Sequence, residues 1–410
     1  DGPVRIHAAT LIPGRGDPID NGVVVLADGR ISYAGTAAGA PAIADAQVIE
    51  ATTVLPGLWD CHGHFIGSQS LDPLKWALEP AAAAGARAAM DARAALRAGI
   101  TSVREVGGLG VHLARAVDDG TVTGPTIYGA GAMLSMTGGH GDLHELPVPV
   151  MRVLQDTTPH IRVCDGEDDC RRAVREMLRE GARVIKVHAS GGMLSVTDDP
   201  HHQQFTDAEL AAIVDEAARA GRVVAAHCHG KAGIMAALRT GVRTIEHGTW
   251  LDEEAADAMV AADAILVPTC FVGVLLRQSG LEGGVPAYTM SKIAAAGDQH
   301  DRAVEIAHAM GVRIAAGTDI FASGVWGRNG EELGLLCERG LSPLEAIEAA
   351  TATAPATLGA QAPRSGLLAA GYDADVITVD ADVLDDLDAL ADPARITGVW
   401  RAGLAVQFDD

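Results

Sequence analysis

The middle of the chain alternates short β-branched apolar runs with alanine-rich amphipathic stretches. Such runs predict buried strands and such stretches predict helices, so their alternation indicates repeated βα units. The predicted strands cover residues 54–60, 101–106, 126–130, 184–188, 223–227, 244–247, 265–269 and 314–319. The predicted helices cover residues 81–98, 168–180, 207–220, 231–240, 252–262 and 291–310. Eight strands in this order predict an α/β fold, a parallel (β/α)8 TIM barrel.

The two ends of the chain are patterned differently from the middle. Near the start, strand-like residues 23–26 and 31–33 flank Asp28-Gly29, a typical two-residue hairpin turn. Near the end, residues 374–379, 396–399 and 403–406 repeat the strand pattern. We therefore predict a small composite β-sandwich domain formed by residues 1–56 and 359–410, beside a barrel domain at residues 57–358. Residues 135–156, rich in glycine and proline, are too long for an ordinary connection and are predicted to form an active-site loop.

Composition limits the classes of partner. The chain has 31 basic and 54 acidic residues and a formal net charge of −23, whereas nucleic acids and anionic membranes favour basic surfaces. No apolar run is long enough to span a membrane, so we expect a small-molecule substrate and neither a nucleic acid nor a membrane as partner. Six scattered cysteines without a CxxC pair, and a start without a signal-peptide pattern, are typical of reduced thiols in a cytoplasmic enzyme.

Residues that can bind metals follow the predicted strands in order. His62 and His64 are two apart in an extended strand, so both imidazoles point the same way and can share one ion. Lys186 stands within an apolar run, where an ammonium group is unfavourable unless it is paired or chemically altered. The ends of strands five, six and eight carry His227, His247 and Asp319. Since barrel enzymes assemble their sites at the carboxyl ends of the strands, this series predicts a metal site.

Further polar residues receive weaker assignments. His229 is two residues past His227 and should face the same cavity, where it would contact the substrate or its oxyanion. His140, in the glycine-rich loop, either contacts substrate or orders the loop, and His188 shares a face with Lys186 and would orient a ligand. We expect His201 and His202 to be solvated. Glu246 points away from its neighbour His247 in an extended strand, so it is placed outside the metal site.

The ordered set His62, His64, Lys186, His227, His247 and Asp319 resembles the metal constellation of the amidohydrolase superfamily. The segments DGRI at residues 28–31 and GYDADV at residues 371–376 are similar to the composite β domain of that superfamily, so the resemblance spans nearly the whole chain. TGGHG at residues 137–141 and HCHG at residues 227–230 resemble one branch in particular. That branch holds Xaa-Pro and Xaa-Arg/Lys dipeptidases, imidazolonepropionase-like proteins, an ochratoxin amidase, and phenylurea and thiocarbamate hydrolases.

The resemblance implies a role for each residue. His62, His64 and Asp319 would bind a more buried ion, and His227 and His247 a more exposed one. Lys186, after reaction with CO₂ to a carbamate, would bridge two divalent ions that share a hydroxide. Zinc is the first expectation for the metal, and cobalt, manganese or iron would also fit the mixed nitrogen and oxygen ligands. Asp319 would carry the proton from the attacking hydroxide to the leaving nitrogen, with His229 and His140 as further catalytic residues.

These roles predict hydrolysis of an amide-type C–N bond in a dipeptide or an N-acyl amino acid. A urea- or carbamate-type hydrolase acting on small aromatic xenobiotics such as phenylureas is the alternative. Two other hypotheses stay open, namely a barrel without catalytic activity and an enzyme with one ion and an unmodified Lys186. Arg104, Tyr288 and His140 are candidates to bind a substrate carboxylate. We also expect a homo-oligomer, because such relatives often associate.

Overall fold

The computed structural model describes residues 2–408; Asp1, Asp409 and Asp410, which belong to the predicted small domain, lie outside the described residues. The strands are β1 (Val4–Leu11), β2 (Ile19–Ala27), β3 (Arg30–Thr36), β4 (Gln47–Pro56), β5 (Leu58–Ser68), β6 (Ile100–Glu105), β7 (Thr126–Gly129), β8 (Met133–Ser135), β9 (Ile161–Val163), β10 (Ile185–His188), β11 (Val224–Cys228), β12 (Thr244–His247), β13 (Ile265–Val267), β14 (Arg313–Ile314), β15 (Ile320–Ala322), β16 (Val376–Val379), β17 (Ile396–Arg401) and β18 (Leu404–Ala405). The helices are α1 (Pro73–Trp76), α2 (Ala81–Arg97), α3 (Gly110–Asp118), α4 (Val148–Leu154), α5 (Glu167–Glu180), α6 (Asp207–Arg219), α7 (Lys231–Thr240), α8 (Glu253–Ala261), α9 (Cys270–Ser279), α10 (Ala287–Ala296), α11 (Gln299–Ala309), α12 (Glu331–Glu338) and α13 (Pro343–Ala349).

Both ends of the chain contribute strands to one sheet. Its order is β18-β17-β16-β4-β1-β2-β3, and β4 joins the N-terminal to the C-terminal strands by pairing with both β1 and β16. The predicted hairpin is confirmed, since Asp28 and Gly29 both have positive φ, as a primed two-residue turn requires. Hydrogen bonds join all seven strands into one sheet, so the layering of a sandwich and the exact domain limits stay predictions.

The middle of the chain is a mixed α/β structure with parallel sheets. One sheet has the order β14-β13-β12-β11-β10-β8-β9, and the other β15-β5-β6-β7. Two backbone hydrogen bonds link the sheets: the Arg183 amide, just before β10, donates to the Gly129 carbonyl on β7, and the Cys61 amide on β5 donates to the Ala316 carbonyl, just after β14. Helices from α2 onward alternate with these strands, and their alanine-rich faces pack into one extended apolar core.

Three sequence predictions were wrong in detail. The strand predicted at 54–60 is two strands, because β4 ends at Pro56 and β5 runs from Leu58 as far as Ser68. The helix predicted at 291–310 is two helices, because Gly297 has a φ of 54° and ends α10. The strand predicted at 314–319 stops at Ile314, and Asp319 adopts a left-handed backbone with a φ of 57° before β15.

Two further observations concern membrane-spanning helices and disulfide bonds. None of the helices between residues 2 and 408 has the length and hydropathy of a membrane-spanning segment. All six cysteines carry free thiols, and Cys164 Sγ lies 3.7 Å from Cys170 Sγ, well beyond the length of a disulfide bond.

A buried carboxyl group holds the start of α9 and makes stability depend on pH. Glu332 on α12 is fully buried and accepts hydrogen bonds from the Cys270 amide at 3.0 Å and the Phe271 amide at 2.7 Å. Burial raises the pKa of Glu332 to about 8. Since a glutamate in an unfolded chain titrates near pH ~4.3, the folded chain binds more protons than the unfolded chain between these pH values. The free energy of unfolding therefore falls as pH rises through this window.

Glutamine resembles the protonated carboxyl group. We therefore expect the free energy of unfolding of Glu332→Gln to fall less than that of the wild type as pH rises from ~5 to ~8. Urea denaturation at several pH values measures this difference directly. Glu338→Gln, at a side chain on the same helix that is 71% exposed, is the matched control. Parallel pH profiles for the wild type and Glu332→Gln would contradict the prediction.

Candidate metal centre and active site

The six residues predicted to bind metal line one cavity. His62 and His64 lie within β5, Lys186 lies on β10, His227 and His247 lie on β11 and β12, and Asp319 directly precedes β15. Two of them, His247 with a φ of 70° and Asp319 with a φ of 57°, have a left-handed backbone that non-glycine residues rarely adopt. Such strained positions persist only where surrounding structure enforces them, and they cluster at functional sites.

The first group of ligand atoms comes from His62, His64 and Asp319. His64 Nδ1 lies 2.7 Å from the Gly107 carbonyl oxygen, and His62 Nδ1 lies 2.7 Å from Glu246 Oε2. Both partners can only accept, so both Nδ1 atoms carry a proton, and in the neutral form of each ring the lone pair is on Nε2. These Nε2 atoms lie 3.0 and 3.4 Å from Asp319 Oδ1. Three electron-pair donors therefore face one another, an arrangement that fits a divalent cation between them.

The second group comes from His227, His229 and His247. His227 Nε2 lies 3.2 Å from the Gly191 carbonyl oxygen, which leaves the lone pair on Nδ1. His247 Nδ1 contacts Thr269 Oγ1, and His229 Nδ1 contacts Thr249 Oγ1, each at 2.7 Å. These contacts hold one nitrogen of each ring, so the orientation of the ring is fixed and the second nitrogen points in one direction. His229, predicted to contact substrate, thus lies within reach of the same cation as its neighbours.

Burial keeps His62 and the three histidines of the second group neutral. It lowers the pKa of His62 to about 4, with the nearby Lys186 ammonium acting in the same direction. Burial also holds the pKa values of His227, His229 and His247 well below the ordinary value. Neutral imidazole is the form that binds metal ions, so the site does not have to release protons from these rings before binding one.

Lys186 lies between the two groups of histidines. Its side chain is buried, and Nζ lies 3.3 Å from His62 Nε2. Burial lowers the pKa of Lys186 to about 8, although Glu246 and Asp319 act in the opposite direction. An ammonium at this point would repel a bound cation, so the position suits an anionic or neutral form of the side chain better.

The Asp319 carboxylate is accessible from the cavity. Its side chain is 15% exposed, compared with 1% for His62. Burial opposes ionisation of Asp319, but His62, His64 and Lys186 hold its pKa below the ordinary value. A carboxylate that is both ionised and accessible can bind a cation and exchange a proton with a substrate.

A buried ion pair beneath the site was not predicted from the sequence. Glu246 accepts two hydrogen bonds from Arg104 Nη2, at 2.8 and 2.7 Å, while its Oε2 holds His62 Nδ1. Both side chains are fully buried. Glu246 belongs to neither group of ligand atoms. It does fix the tautomer of His62, which belongs to the first group. Arg104 was wrong as a candidate for a substrate carboxylate, because it lies below the cavity and is already paired.

Asp60 fixes the relative positions of β5 and the segment before Asp319. Its Oδ1 accepts hydrogen bonds from the amides of His62 and Thr318, at 3.0 and 3.1 Å. Its Oδ2 accepts from Thr318 Oγ1 at 2.5 Å and from Asn329 Nδ2 at 2.7 Å. One carboxylate thus anchors the backbone on both sides of the first ligand group.

His140 enters the cavity from the predicted active-site loop. Its Nδ1 lies 2.7 Å from Ser195 Oγ, and Ser195 in turn donates to Asp198. Lys292 on α10 holds the loop that contains Ser195 and Asp198. Its Nζ donates hydrogen bonds to the carbonyl oxygens of Gly192, Ser195 and Asp198 at 2.7–2.8 Å. The His140 ring stacks on His227 with centroids 4.4 Å apart. This network could not be predicted from the sequence, because its members lie in two loops and on helix α10, far apart along the chain.

Other histidines lie as follows. His188 shares a third group of ligand atoms with His140 and His227, and its buried Nδ1 has no hydrogen-bond partner among the described residues. His201 and His202 are exposed and lie outside the cavity lining, as predicted.

The cavity above the ligand groups is large and mainly apolar. Its volume, including the part open to solvent, is about 1310 Å³. Leu143 from the active-site loop, Val272 and Leu276 from α9 and Phe321 from β15 are among the apolar side chains that line it. Tyr288, another candidate for a substrate carboxylate, lies in the wall on α10. A small organic molecule with apolar groups can therefore reach the histidines.

Comparison with known proteins agrees with this arrangement. The model of the amidohydrolase family matches residues 53–406. Ochratoxinase from Aspergillus niger is 42% identical over 413 residues, which cover 97% of this chain and 85% of that protein.

Two solved structures are similar over nearly their whole length. The crystal structure of A. niger ochratoxinase has a TM-score of 0.91 at 38% identity, covering 98% of this chain and 95% of that one. The crystal structure of a prolidase complexed with N-methylphosphonate-L-proline has a TM-score of 0.91 at 34% identity, covering 99% and 100% of the two chains.

Proposed function

The chain belongs to the amidohydrolase family, and on that premise we propose that it hydrolyses an amide-type C–N bond in an N-acyl amino acid or a dipeptide with the help of two divalent metal ions. The observation that carries this proposal is the convergence of three electron-pair donors, His62 Nε2, His64 Nε2 and Asp319 Oδ1. Hydrogen bonds on the far side of both rings place the proton of each neutral imidazole on Nδ1, so that each Nε2 lone pair is directed at Asp319 and the space between them.

His62, His64 and Asp319 would hold the more buried ion, and His227 and His247 the more exposed one. Lys186 would bridge them as a carbamate, formed when its neutral Nζ adds to the carbon of CO₂ and releases a proton. The carbamate replaces an unfavourable buried ammonium with an anion that has two ligand oxygens. Zinc suits this mixture of nitrogen and oxygen donors, as do cobalt, manganese and iron.

When bound, such ions lower the pKa of a water molecule and polarise the scissile carbonyl group. Asp319 takes up the proton that the attacking water loses and delivers it to the leaving nitrogen, so that the C–N bond breaks and an amine departs. Its 15% exposed side chain and its lowered pKa support this role. The substrate carbon and the leaving nitrogen must therefore lie next to Asp319.

His229 and His140 would act on the substrate itself. His229 Nδ1 is fixed by Thr249, so Nε2 is the atom available to the carbonyl oxygen and to the negative charge that develops on it. His140 is held by Ser195 through Nδ1, which leaves Nε2 for a substrate contact. Both residues line the cavity.

We further propose that β5 to β15 close into a (β/α)8 barrel, with the site at the carboxyl ends of its strands. The hydrogen bonds that link β7 to the segment before β10, and β5 to the segment after β14, support closure. The division into a composite β domain (1–56 and 359–410) and a barrel (57–358) is supported by the boundary between β4 and β5. A cytoplasmic location and a homo-oligomer stay predictions from the sequence.

Removal of metal tests the proposed function. We expect about two zinc-like ions per chain in fresh protein, and loss of hydrolysis of N-acyl amino acids and dipeptides after dialysis against a chelator. Zinc or cobalt should restore hydrolysis, whereas magnesium should not, because it prefers oxygen ligands. An arylurea belongs in the same assay, since faster cleavage of it would favour the alternative substrate class. Full activity in metal-free protein would overturn the proposal.

A further inference from the structure

One arginine in the cavity wall has no partner. Arg277 on α9, an exposed residue at the rim, is the single guanidinium among the described residues that line the cavity, and no hydrogen bond or ion pair engages its side chain within residues 2–408. Glu145 lines the same cavity but forms no salt bridge with it. The lysine that lines the cavity, Lys186, lies among the proposed metal ligands and so has a different role. A free guanidinium in an enzyme cavity is suited to a planar anion such as a carboxylate.

The position of Arg277 relates it to the metal centre. Helix α9 begins directly after Thr269, whose Oγ1 contacts His247 Nδ1. The Arg277 side chain turns back along the helix, so that a Cβ at Gly273 would lie 3.6 Å from both of its terminal nitrogens. Gly273 is four residues after Thr269, which places the guanidinium about 6 Å along the helix axis from the residue that holds His247.

An N-acyl amino acid has a length of the same order as this offset along α9. The carboxylate carbon of such a molecule is three covalent bonds from the scissile carbonyl carbon, a span of roughly 4 Å. A charge-assisted hydrogen bond adds about 2.8 Å. A carbonyl held beside His247 can thus present its carboxylate to Arg277.

The residues around Arg277 indicate which amino acids fit. Val272 and Leu276 lie on the same helix and line the cavity, so the side chain next to the carboxylate meets apolar surface. An apolar side chain is stabilised there by burial, whereas a charged one would lose its hydration without gaining a partner.

We propose that Arg277 determines specificity by binding the carboxylate of an N-acyl derivative of an apolar amino acid. The inference rests on the proposed function, because it assigns one end of the substrate of the same site. Arg277 does not take part in bond cleavage, so its loss should affect only substrates that carry the carboxylate.

The test compares N-benzoyl-L-leucine with N-benzoyl-L-leucinamide, which contains the same scissile bond but lacks the charge. We expect Arg277→Gln to lower kcat/KM for the acid by about 10- to 100-fold, the range of a charge-assisted hydrogen bond. Cleavage of the benzoyl bond in the leucinamide should change less than 3-fold. Arg302→Gln, at an exposed arginine outside the cavity, is the matched control, and Arg277→Lys should restore part of the activity.

Each other outcome overturns the inference in a recognisable way. Equal losses for the acid and the amide would mean that Arg277 supports the site as a whole. No loss for either would mean that it does not contact the carboxylate, while metal-dependent cleavage by the wild type would leave the proposed function intact. If the metal-loaded wild type cleaves neither compound nor any other N-acyl amino acid or dipeptide, the proposed function and the inference fall together.

Discussion

Lys186→Ala is expected to reduce the bound metal from about two ions per chain to one or none and to lower kcat/KM by at least about 10³-fold, because the metal centre supplies several kcal/mol of transition-state stabilisation. The physical reason is the position of Lys186 between the two groups of ligands, 3.3 Å from His62 Nε2. Without the bridging carbamate, the two ions would repel each other across the gap. Elemental analysis and steady-state kinetics on the same preparation measure both effects.

Chemical rescue makes this prediction specific. A carbamate is in effect a tethered carboxylate, so a short free carboxylate such as propionate should enter the space left by the lysine side chain and restore part of the metal content and activity. Lys231→Ala, at a half-buried lysine that lies outside the cavity and pairs with Asp252 and Glu254, is the control and should change neither quantity. One ion per chain in both the wild type and Lys186→Ala would contradict a bridging role and favour an enzyme with a single ion.

Arg104→Met is expected to lower the free energy of unfolding by about 3–5 kcal/mol, the usual effect of leaving a buried charge without its partner. Arg104 is the cation that pairs with Glu246, and both side chains are fully buried. Although burial opposes ionisation, Arg104 and His62 hold the pKa of Glu246 well below its ordinary value, so the carboxylate stays charged in the wild type. Urea denaturation of metal-free protein isolates this effect from metal binding.

The same substitution should weaken metal binding about 10- to 100-fold, because Glu246 orients His62. The double variant Arg104→Met/Glu246→Leu should recover part of the stability and none of the metal affinity. Arg219→Met, at an exposed pair with Asp215, is the control and should cost less than about 1 kcal/mol. A loss no larger than that of the control would show that the buried pair is not needed for stability.

The convergence of the candidate metal ligands was predictable because each lies on or next to a recognisable strand. The carboxyl ends of parallel strands meet at one end of the molecule, so side chains such as His227 and His247 come together whatever the lengths of the helices between them. The hairpin at Asp28-Gly29 was predictable for a similar reason, since only a few residue types accept positive φ at both turn positions.

The supporting residues were not predictable in the same way. Glu246 does point away from His247, as alternation along a strand requires, but both faces of this strand are buried, and its second face meets His62. Arg104 has the sequence position of a residue at the cavity and yet lies beneath it. Contacts such as Lys292 with Ser195 depend on how a loop folds over helix α10, which no local pattern along the chain encodes.

The sheet shared by both ends of the chain also sets the order of events during synthesis. Thr53 on β4 donates a hydrogen bond to Ala381 across 328 residues of sequence. A ribosome that adds about 5–20 residues per second needs roughly 15 to 65 s to make that interval. Until β16 emerges, β4 presents an unpaired edge to every other nascent chain nearby, and such an edge promotes aggregation. Rapid completion of translation, or a chaperone that covers β4 in the meantime, therefore becomes a condition for good yield of this protein.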